Sequence, residues 1–383
     1  MTLKASYILG LCEAAQQSSV GFGPATRLST QSLTFNIDAA KVIHSIVKFS
    51  PAAESVALEF LNKFQEVSRL RHLVASVLSG EVDANQWAQD MLMAVRDLDQ
   101  EQLSLELEPV LDLASEYLTH LLIAVRNPGG IKTPQESQCP TPKVLKSSAC
   151  VTALVDDAVI IRNQAALKTL VYARDSCICA FTDLSFDPQD DSVRPRCAHI
   201  LPFSLGDKPA SLRMIEAFTG NQLSAGAIRE NINHPRNAFN VERNAHDRFE
   251  QLNWGIEATH ANGQVNGLWW LCSSKPKFEL QQTIYRYRKV ASSSPTIRRR
   301  DGDEIFFNGG LNGNMVDGPN PEFCNLKLAI ARALHACGAA NIIAEIYDND
   351  GDEFFMQPSY FGGPFVSDEA LCRRLDDRLA PYV

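Results

Sequence analysis

Arg196-Cys197-Ala198-His199-Ile200-Leu201-Pro202-Phe203 decides how this chain is read, together with a second stretch further on, Asn233-His234-Pro235-Arg236-Asn237-Ala238-Phe239-Asn240-Val241-Glu242-Arg243-Asn244-Ala245-His246-Asp247-Arg248-Phe249. Three polar side chains stand out: His199 at an apolar strand end, Asn237 after a Pro-Arg pair, and His246 nine residues later on a helical stretch. Taken singly, each has a plain structural explanation. A strand-end histidine is usually a satisfied structural residue, an asparagine after Pro235-Arg236 suits a turn, and His246 suits a solvated helix position. Their joint order, with Cys179-Ala180-Phe181-Thr182 upstream and Ala198 to Phe203 around the first histidine, is the specific signal.

In this order the residues resemble the HNH endonucleases, and most closely the fungal HNH nuclease proteins with their Cys-x-x-Thr and Ala-His-Ile-x-Pro-Phe blocks. The matching motifs cover roughly residues 174–260. The resemblance implies a ββα-metal fold, with a histidine on a strand, an asparagine in a loop and a histidine on the following helix. It implies a catalytic set of His199, Asn237 and His246. His199 is the general base, Asn237 orients it or holds the loop against the metal, and His246 ligates a divalent ion, magnesium or a transition ion such as manganese or nickel. Phe249 packs inward within the His-Asp-x-Phe block. Where many HNH enzymes carry a metal-binding aspartate before the catalytic histidine, this chain has Ala198, as the fungal branch tends to. Asp183, Asn240 and Asp247 are then the candidates for a second ligand, and the sequence does not choose among them.

Composition is consistent with this picture. With 383 residues, 45% hydrophobic and 21% charged, the chain has material for two cored domains. No stretch approaches the roughly 18 consecutive apolar residues of a membrane span. The run Tyr7 to Leu11, cut by Glu13 and preceded by Lys4, does not read as a secretory leader. The expected location is intracellular, nuclear or cytoplasmic, where ten scattered cysteines stay reduced. Net charge is −9, yet residues 160–300 hold 19 Lys or Arg against 13 Asp or Glu, so this window is +6 and the rest −15. A basic middle between acidic flanks suits a module facing nucleic acid. Within it, Arg286, Arg288, Lys289, Arg298, Arg299 and Arg300 are the expected phosphate contacts, with a solvated basic face as the plain alternative.

The fold class expected is α+β: a central ββα-metal module behind a helical N-terminal domain and before a mixed C-terminal tail. Residues 1–36 read as a loose arm and 37–126 as a helical domain. In the latter, Ser50-Pro51 starts one helix with Val56, Phe60, Phe64 and Val67 along a face. Asp83 caps another carrying Trp87, Met91 and Val95, and a third runs from about Pro109 through Ala114, Leu118 and Val125. Such stripes imply a bundle, or a surface for self-association. Residues 127–160 read as a linker, rich in Pro and Gly in its first part. The nuclease module spans 161–290. It has a helix from about Arg162, strands at Cys177–Thr182 and Val193–Phe203, a helix at Lys208–Phe218, and an extended Phe239–Val241. A helix over Glu242–Leu252, a hairpin about Asn262-Gly263 and an edge strand at Thr283–Val290 follow. The extension 291–383 carries the Arg298–Arg300 strip and a helix starting at Asn320-Pro321-Glu322.

Cys177, Cys179, Cys197 and Cys272 are poorly spaced for structural zinc. Asp348, Asp350 and Asp352 lack the glycine position and closing glutamate of a calcium loop. The function expected is metal-dependent hydrolysis of DNA. The alternatives are a non-catalytic HNH-fold module that binds nucleic acid or protein, and an oligomerising scaffold.

Overall fold

The computed structural model describes residues 3–17, 27–30, 33–79, 82–126, 145, 147–186, 193, 195–260, 283–291, 296–310, 312, 315–341 and 343. By contact the chain divides into two compact units that do not follow chain order. The first holds residues 1–131, 208–223 and 332–383, the second 132–207 and 224–331.

The first unit opens with α1 (Leu3–Gln17), where a loose arm was expected. Ala5, Ile8, Leu11, Cys12 and Ala15 are all buried, so this segment is a core element whose small residues weaken its apolar period. An antiparallel hairpin follows, β1 (Arg27–Thr30) and β2 (Leu33–Asp38). Asp38 then caps α2 (Ala39–Phe49) by accepting from the Ala40 amide at 2.9 Å. Next come α3 (Ala53–Glu66), α4 (Arg71–Ser79), α5 (Ala84–Val95), α6 (Gln100–Glu106) and α7 (Glu108–Glu116). A π-helical stretch, Tyr117–Ile123, leads from α7 into α8 (Ala124–Arg126). Asp83 caps α5 as its position implies, while Ser50 lies at the end of α2 and α3 starts only at Ala53. The apolar stripes are buried within the one chain, Val56, Phe60, Trp87, Ala114 and Leu118 among them, so they form a bundle core.

The second unit begins with a helical pair, α9 (Ser148–Ile160) and α10 (Gln164–Asp175). α9 occupies what composition suggested was the end of a linker, and Ser147 caps it through the Cys150 amide at 3.2 Å. Residues 127–144 lie outside the described residues. The expected strand at 177–182 is a tight loop instead. A single bridge, Ile178 to Ser185, closes it, and Asp183 turns the chain at φ +57°. β3 (Pro195–His199) is short because the chain leaves it for a 3₁₀ turn at Phe203–Asp207. The chain then contributes α11 (Pro209–Phe218) to the first unit, where the Ser50 hydroxyl donates to the Phe218 carbonyl at 2.6 Å. Back in the second unit are α12 (Ala225–Asn231), a 3₁₀ turn at Pro235–Asn237, β4 (Ala238–Glu242) and α13 (Arg243–Glu250). β3 and β4 pair antiparallel, with His199 opposite Ala238 and Cys197 opposite Asn240.

A second sheet takes β5 (Trp254–His260), β6 (Thr283–Lys289) and β7 (Glu304–Ile305) in that order. β6 was expected at an edge; the two-residue β7 pairs with it and makes it the middle strand. The hairpin expected about Asn262-Gly263 lies outside the described residues, as do Cys272 and the acidic loop at Asp348–Asp352. α14 (Pro321–Ala336) starts at the predicted proline, with the Asn320 side chain accepting from the Glu322 amide at 2.8 Å. Its Asn325 side chain bonds both the amide and the carbonyl of Ala258, at 2.9 Å each, which ties α14 to β5.

Two devices hold the short hairpin and α13 in place. On one side, Phe239, Phe249, Trp254 and Phe181 pack ring against ring, tilted or edge-on, with Phe181–Trp254 centroids at 4.5 Å and Phe249–Trp254 at 4.7 Å. On the other, the fully buried Arg174 binds Asp175 through two nitrogens, at 2.5 and 2.9 Å. It also donates to the carbonyls of Pro235, Asp317 and Ala238 at 2.7–2.8 Å. Asp175 in turn accepts from the Asn240 amide at 2.8 Å.

Candidate active site

His199 is the last residue of β3, and the turn after it is fixed by Asn237. The Asn237 Oδ1 accepts from the Leu201 amide at 2.8 Å, and its Nδ2 donates to the Leu201 and Ile232 carbonyls at 2.8 and 2.9 Å. The backbone repeats the link, with the Ile200 amide donating to the Asn237 carbonyl at 2.7 Å. Asn237 is fully buried, and both amide hydrogens and its carbonyl oxygen are engaged. Of the two roles expected for it, holding the loop is the one this geometry serves. The side-chain contact to the His199 ring comes from elsewhere.

That contact comes from Asn233, four residues upstream of Asn237. Its Oδ1 lies 3.1 Å from the His199 Nε2. Asn233 is buried and doubly held: its Nδ2 donates to the Ala158 carbonyl at 2.7 Å, and the Gln164 amide donates to its Oδ1 at 2.8 Å. The His199 ring also lies against Phe203, centroids 5.8 Å apart. Burial pulls its pKa down to about 4, against the opposing Asn233 hydrogen bond. His246 and Lys327 nearby push the same way, and Glu250 opposes them. The ring is therefore neutral at physiological pH, the state a proton acceptor needs.

α13 carries the other histidine. Glu242 at its start accepts from the Asn244 and Ala245 amides at 2.9 and 3.2 Å, which sets the helix directly on the end of β4. Phe249 anchors its inner face, as its block implied. His246 is mostly buried, with Glu250 one turn on at 3.5 Å from its Nε2 and Asp247 at 3.8 Å from its Nδ1. His246 holds the Asp247 carboxyl below the usual range, and Arg243 and Arg196 add to this. Among the described histidines, cysteines, aspartates and glutamates, His246, Asp247 and Glu250 form the one group of three or more whose possible ligand atoms all come within 4.8 Å of one another.

An ion with bonds of about 2.0–2.2 Å separates two ligands by at most about 4.4 Å. The spacing therefore fits a divalent cation after a small rotation of the two exposed carboxylates. Imidazole with carboxylates suits manganese, nickel or zinc at least as well as magnesium. His246 and Glu250 share a helix face, whereas neighbours such as His246 and Asp247 do not naturally converge. Glu250 is thus the residue on the same face as His246 that could serve as a second ligand. The sequence reading missed it, although the four-residue spacing on a helix was the available signal. Of the other candidates, Asp183 is paired with Arg299, and Asn240 is buried in the sheet opposite Cys197.

The basic strip is divided. Arg286 bonds Glu304 and Thr259, Arg288 bonds Glu257 at 2.6 Å and Asp301, and Arg299 bonds the Ala180 carbonyl and Asp183. These three fasten strands and loops. Lys289, Arg298 and Arg300 are exposed. The described cysteines are free thiols, and none belongs to the metal-capable group.

Among the described residues no helix is long and apolar enough to cross a membrane. No curated protein and no solved structure matches the chain. The stretch from the Cys179 loop through His199, Asn237 and His246 into β5 does match a family: residues 179–257 fit the model of the HNH endonucleases, so the chain carries an HNH endonuclease domain there.

Proposed function

We propose that the second unit is a metal-dependent endonuclease that hydrolyses phosphodiester bonds in DNA through a ββα-metal site. The observation that carries this is the pairing of a neutral, oriented His199 with the His246–Glu250 face of α13 inside the matched segment. His199 takes a proton from the attacking water. His246, with Glu250 and Asp247, would hold a divalent cation, which when bound supplies positive charge to the phosphate and the leaving oxygen. Asn237 keeps the turn after the base closed. Exposed Lys289, Arg298 and Arg300 would meet backbone phosphates, with Arg286, Arg288 and Arg299 contributing chiefly by shaping the surface. The protein would act inside the cell, in nucleus or cytoplasm.

The test is supercoiled plasmid with the purified full chain, in chelator and with a series of divalent ions. Nicking that needs an ion is expected. His199→Ala should lower it by about 10²–10⁴-fold, the usual contribution of a positioned base. His246→Ala should abolish it at ordinary ion concentration and recover part of it at high concentration. Plasmid left intact in every ion, with DNA still bound, would favour the non-catalytic binding module.

A further inference from the structure

Resting on the nuclease reading, we infer that Asn233 is the positioning residue of this site: held from α9 and α10, it fixes His199 as the Nε2–H tautomer and presents Nδ1 as the proton-accepting atom. The orientation of the Asn233 carboxamide follows from its partners. The Ala158 carbonyl can only accept, so the atom 2.7 Å from it must be the nitrogen. Turning the amide over would set two acceptors against each other. The oxygen then faces His199 at 3.1 Å and, because it accepts, the Nε2 there must donate. A neutral imidazole carries one N–H, so the lone pair is left on Nδ1.

Gln164 donates to the same oxygen at 2.8 Å and keeps the amide from swinging away. A neutral amide also suits this place better than a carboxylate. A carboxylate would stabilise the protonated ring and remove the base at neutral pH. In the step that follows, one water O–H bond breaks and its proton passes to Nδ1. The hydroxide oxygen forms the new P–O bond as the P–O3′ bond breaks, and the leaving oxygen is protonated from solvent. The ring ends with both nitrogens protonated, its Nε2–H still on Asn233.

Ala158 and Gln164 lie outside the stretch that matches the family, so the base is aimed by helices that the domain does not itself contain. The titratable and charged groups facing His199 are His246 and Glu250 from α13 and Lys327 from α14, and all stay in place in the variants below.

The test uses the full chain labelled with nitrogen-15 in its histidines, the His199 signals being identified by their loss in His199→Gln. Wild type should show His199 protonated at Nε2 and bare at Nδ1. Asn233→Ala should mix the two tautomers and lower kcat by about 10–100-fold with KM little changed, the size usual for a partner that orients a site residue. Asn233→Asp keeps the shape of the side chain and guards against a folding loss. It should raise the proton affinity of the ring and move the acid limb of the pH–rate profile upward, so that activity missing at neutral pH returns as pH rises. Gln164→Ala should act like Asn233→Ala, more weakly. A His199 bearing its proton on Nδ1, or a pH profile in Asn233→Asp equal to wild type, overturns the inference. Nitrogen signals that respond as described in a protein that never cuts plasmid would instead fault the nuclease reading and leave the positioning of the ring standing.

Discussion

Burial keeps both His199 and His234 neutral, and folding stability should register this. Each has its pKa lowered to about 4, His199 chiefly by burial and His234 by burial and then by Arg236. The His234 Nδ1 accepts from the Arg236 amide at 3.1 Å, a bond that the doubly protonated ring cannot make. In the unfolded chain both rings bind a proton near pH 6.5, so between pH 6.5 and 4 the unfolded state holds more protons than the folded one. Stability must then fall as pH is lowered through that window and level off below it. Thermal melts from pH 7 to 4 should show the fall, and the double variant His199→Gln with His234→Gln should flatten it. A wild-type melting temperature constant from pH 6.5 to 4.5 would contradict the burial of both rings. At this scale His199 and His246 could be singled out from order and spacing, because metal-assisted hydrolysis would draw on those residue types. Asn233 was not, because what makes it matter lies 69 and 75 residues upstream, at Gln164 and Ala158, and only folding brings these together.

α13 is eight residues long and too short to be helical by itself, so its place depends on what it packs against. Its buried side is Ala245 and Phe249, and Phe249 meets Phe239 at 5.0 Å and Trp254 at 4.7 Å, with the Lys327 ammonium over its ring at 3.8 Å. Phe249→Ala should cost about 3–5 kcal/mol in a denaturant melt. It should also weaken ion binding, since His246 and Glu250 ride on the same helix; a loss under 1 kcal/mol would show that the aromatic cluster does not hold α13. The basic strip makes a second prediction for elements. Arg298→Ala with Arg300→Ala should flatten the salt dependence of DNA binding, by up to about 0.9 in log–log slope for each phosphate that is no longer neutralised. Arg288→Ala, by contrast, removes the tie between β6 and β5 at Glu257 and should show first in the melt. Equal slopes in wild type and the double variant would return the strip to a solvated face. Sequence could not make this division, because a run of arginines looks alike whether or not folding brings carboxylates to it. It also could not show α1, whose small residues blur the period, or place β6 at the middle of its sheet, since β7 contributes only two residues.

At the scale of the molecule, the matched stretch is built into a larger unit. The second unit gathers residues 132–207 and 224–331, and Arg174, outside the family stretch, lies fully buried against the turn that holds Asn237. Its guanidinium reaches the carbonyls of Pro235 and Ala238, the first residues of the Pro235–Asn237 turn and of β4, and that of Asp317 beyond the second sheet. The Asn320 amide adds a bond to the Arg236 carbonyl at 2.7 Å, and Arg236 pairs with Asp317 at 3.0 Å. The residues before and after the motif thus converge on the Pro235–Asn237 turn, which is bonded to the turn that follows His199. Arg174→Met removes five hydrogen bonds and leaves the Asp175 carboxylate buried without its partner. Breaking one side of a buried pair costs about 3–5 kcal/mol, because the remaining charge has lost its water and gained nothing in return. Burial already raises the Asp175 pKa against the opposing pull of Arg174, so without Arg174 the carboxyl should take up a proton. The variant should accordingly melt lower and be less destabilised at acidic pH, where a protonated Asp175 carries no charge to strand. Cleavage should fall with it, even though Arg174 does not touch His199, because Asn237 and the turn after the base lose their fixed position. Melts of wild type and Arg174→Met at pH 5 and 8, followed beside plasmid nicking, decide the matter. A variant as stable and active as wild type would mean that the HNH stretch stands without its surroundings.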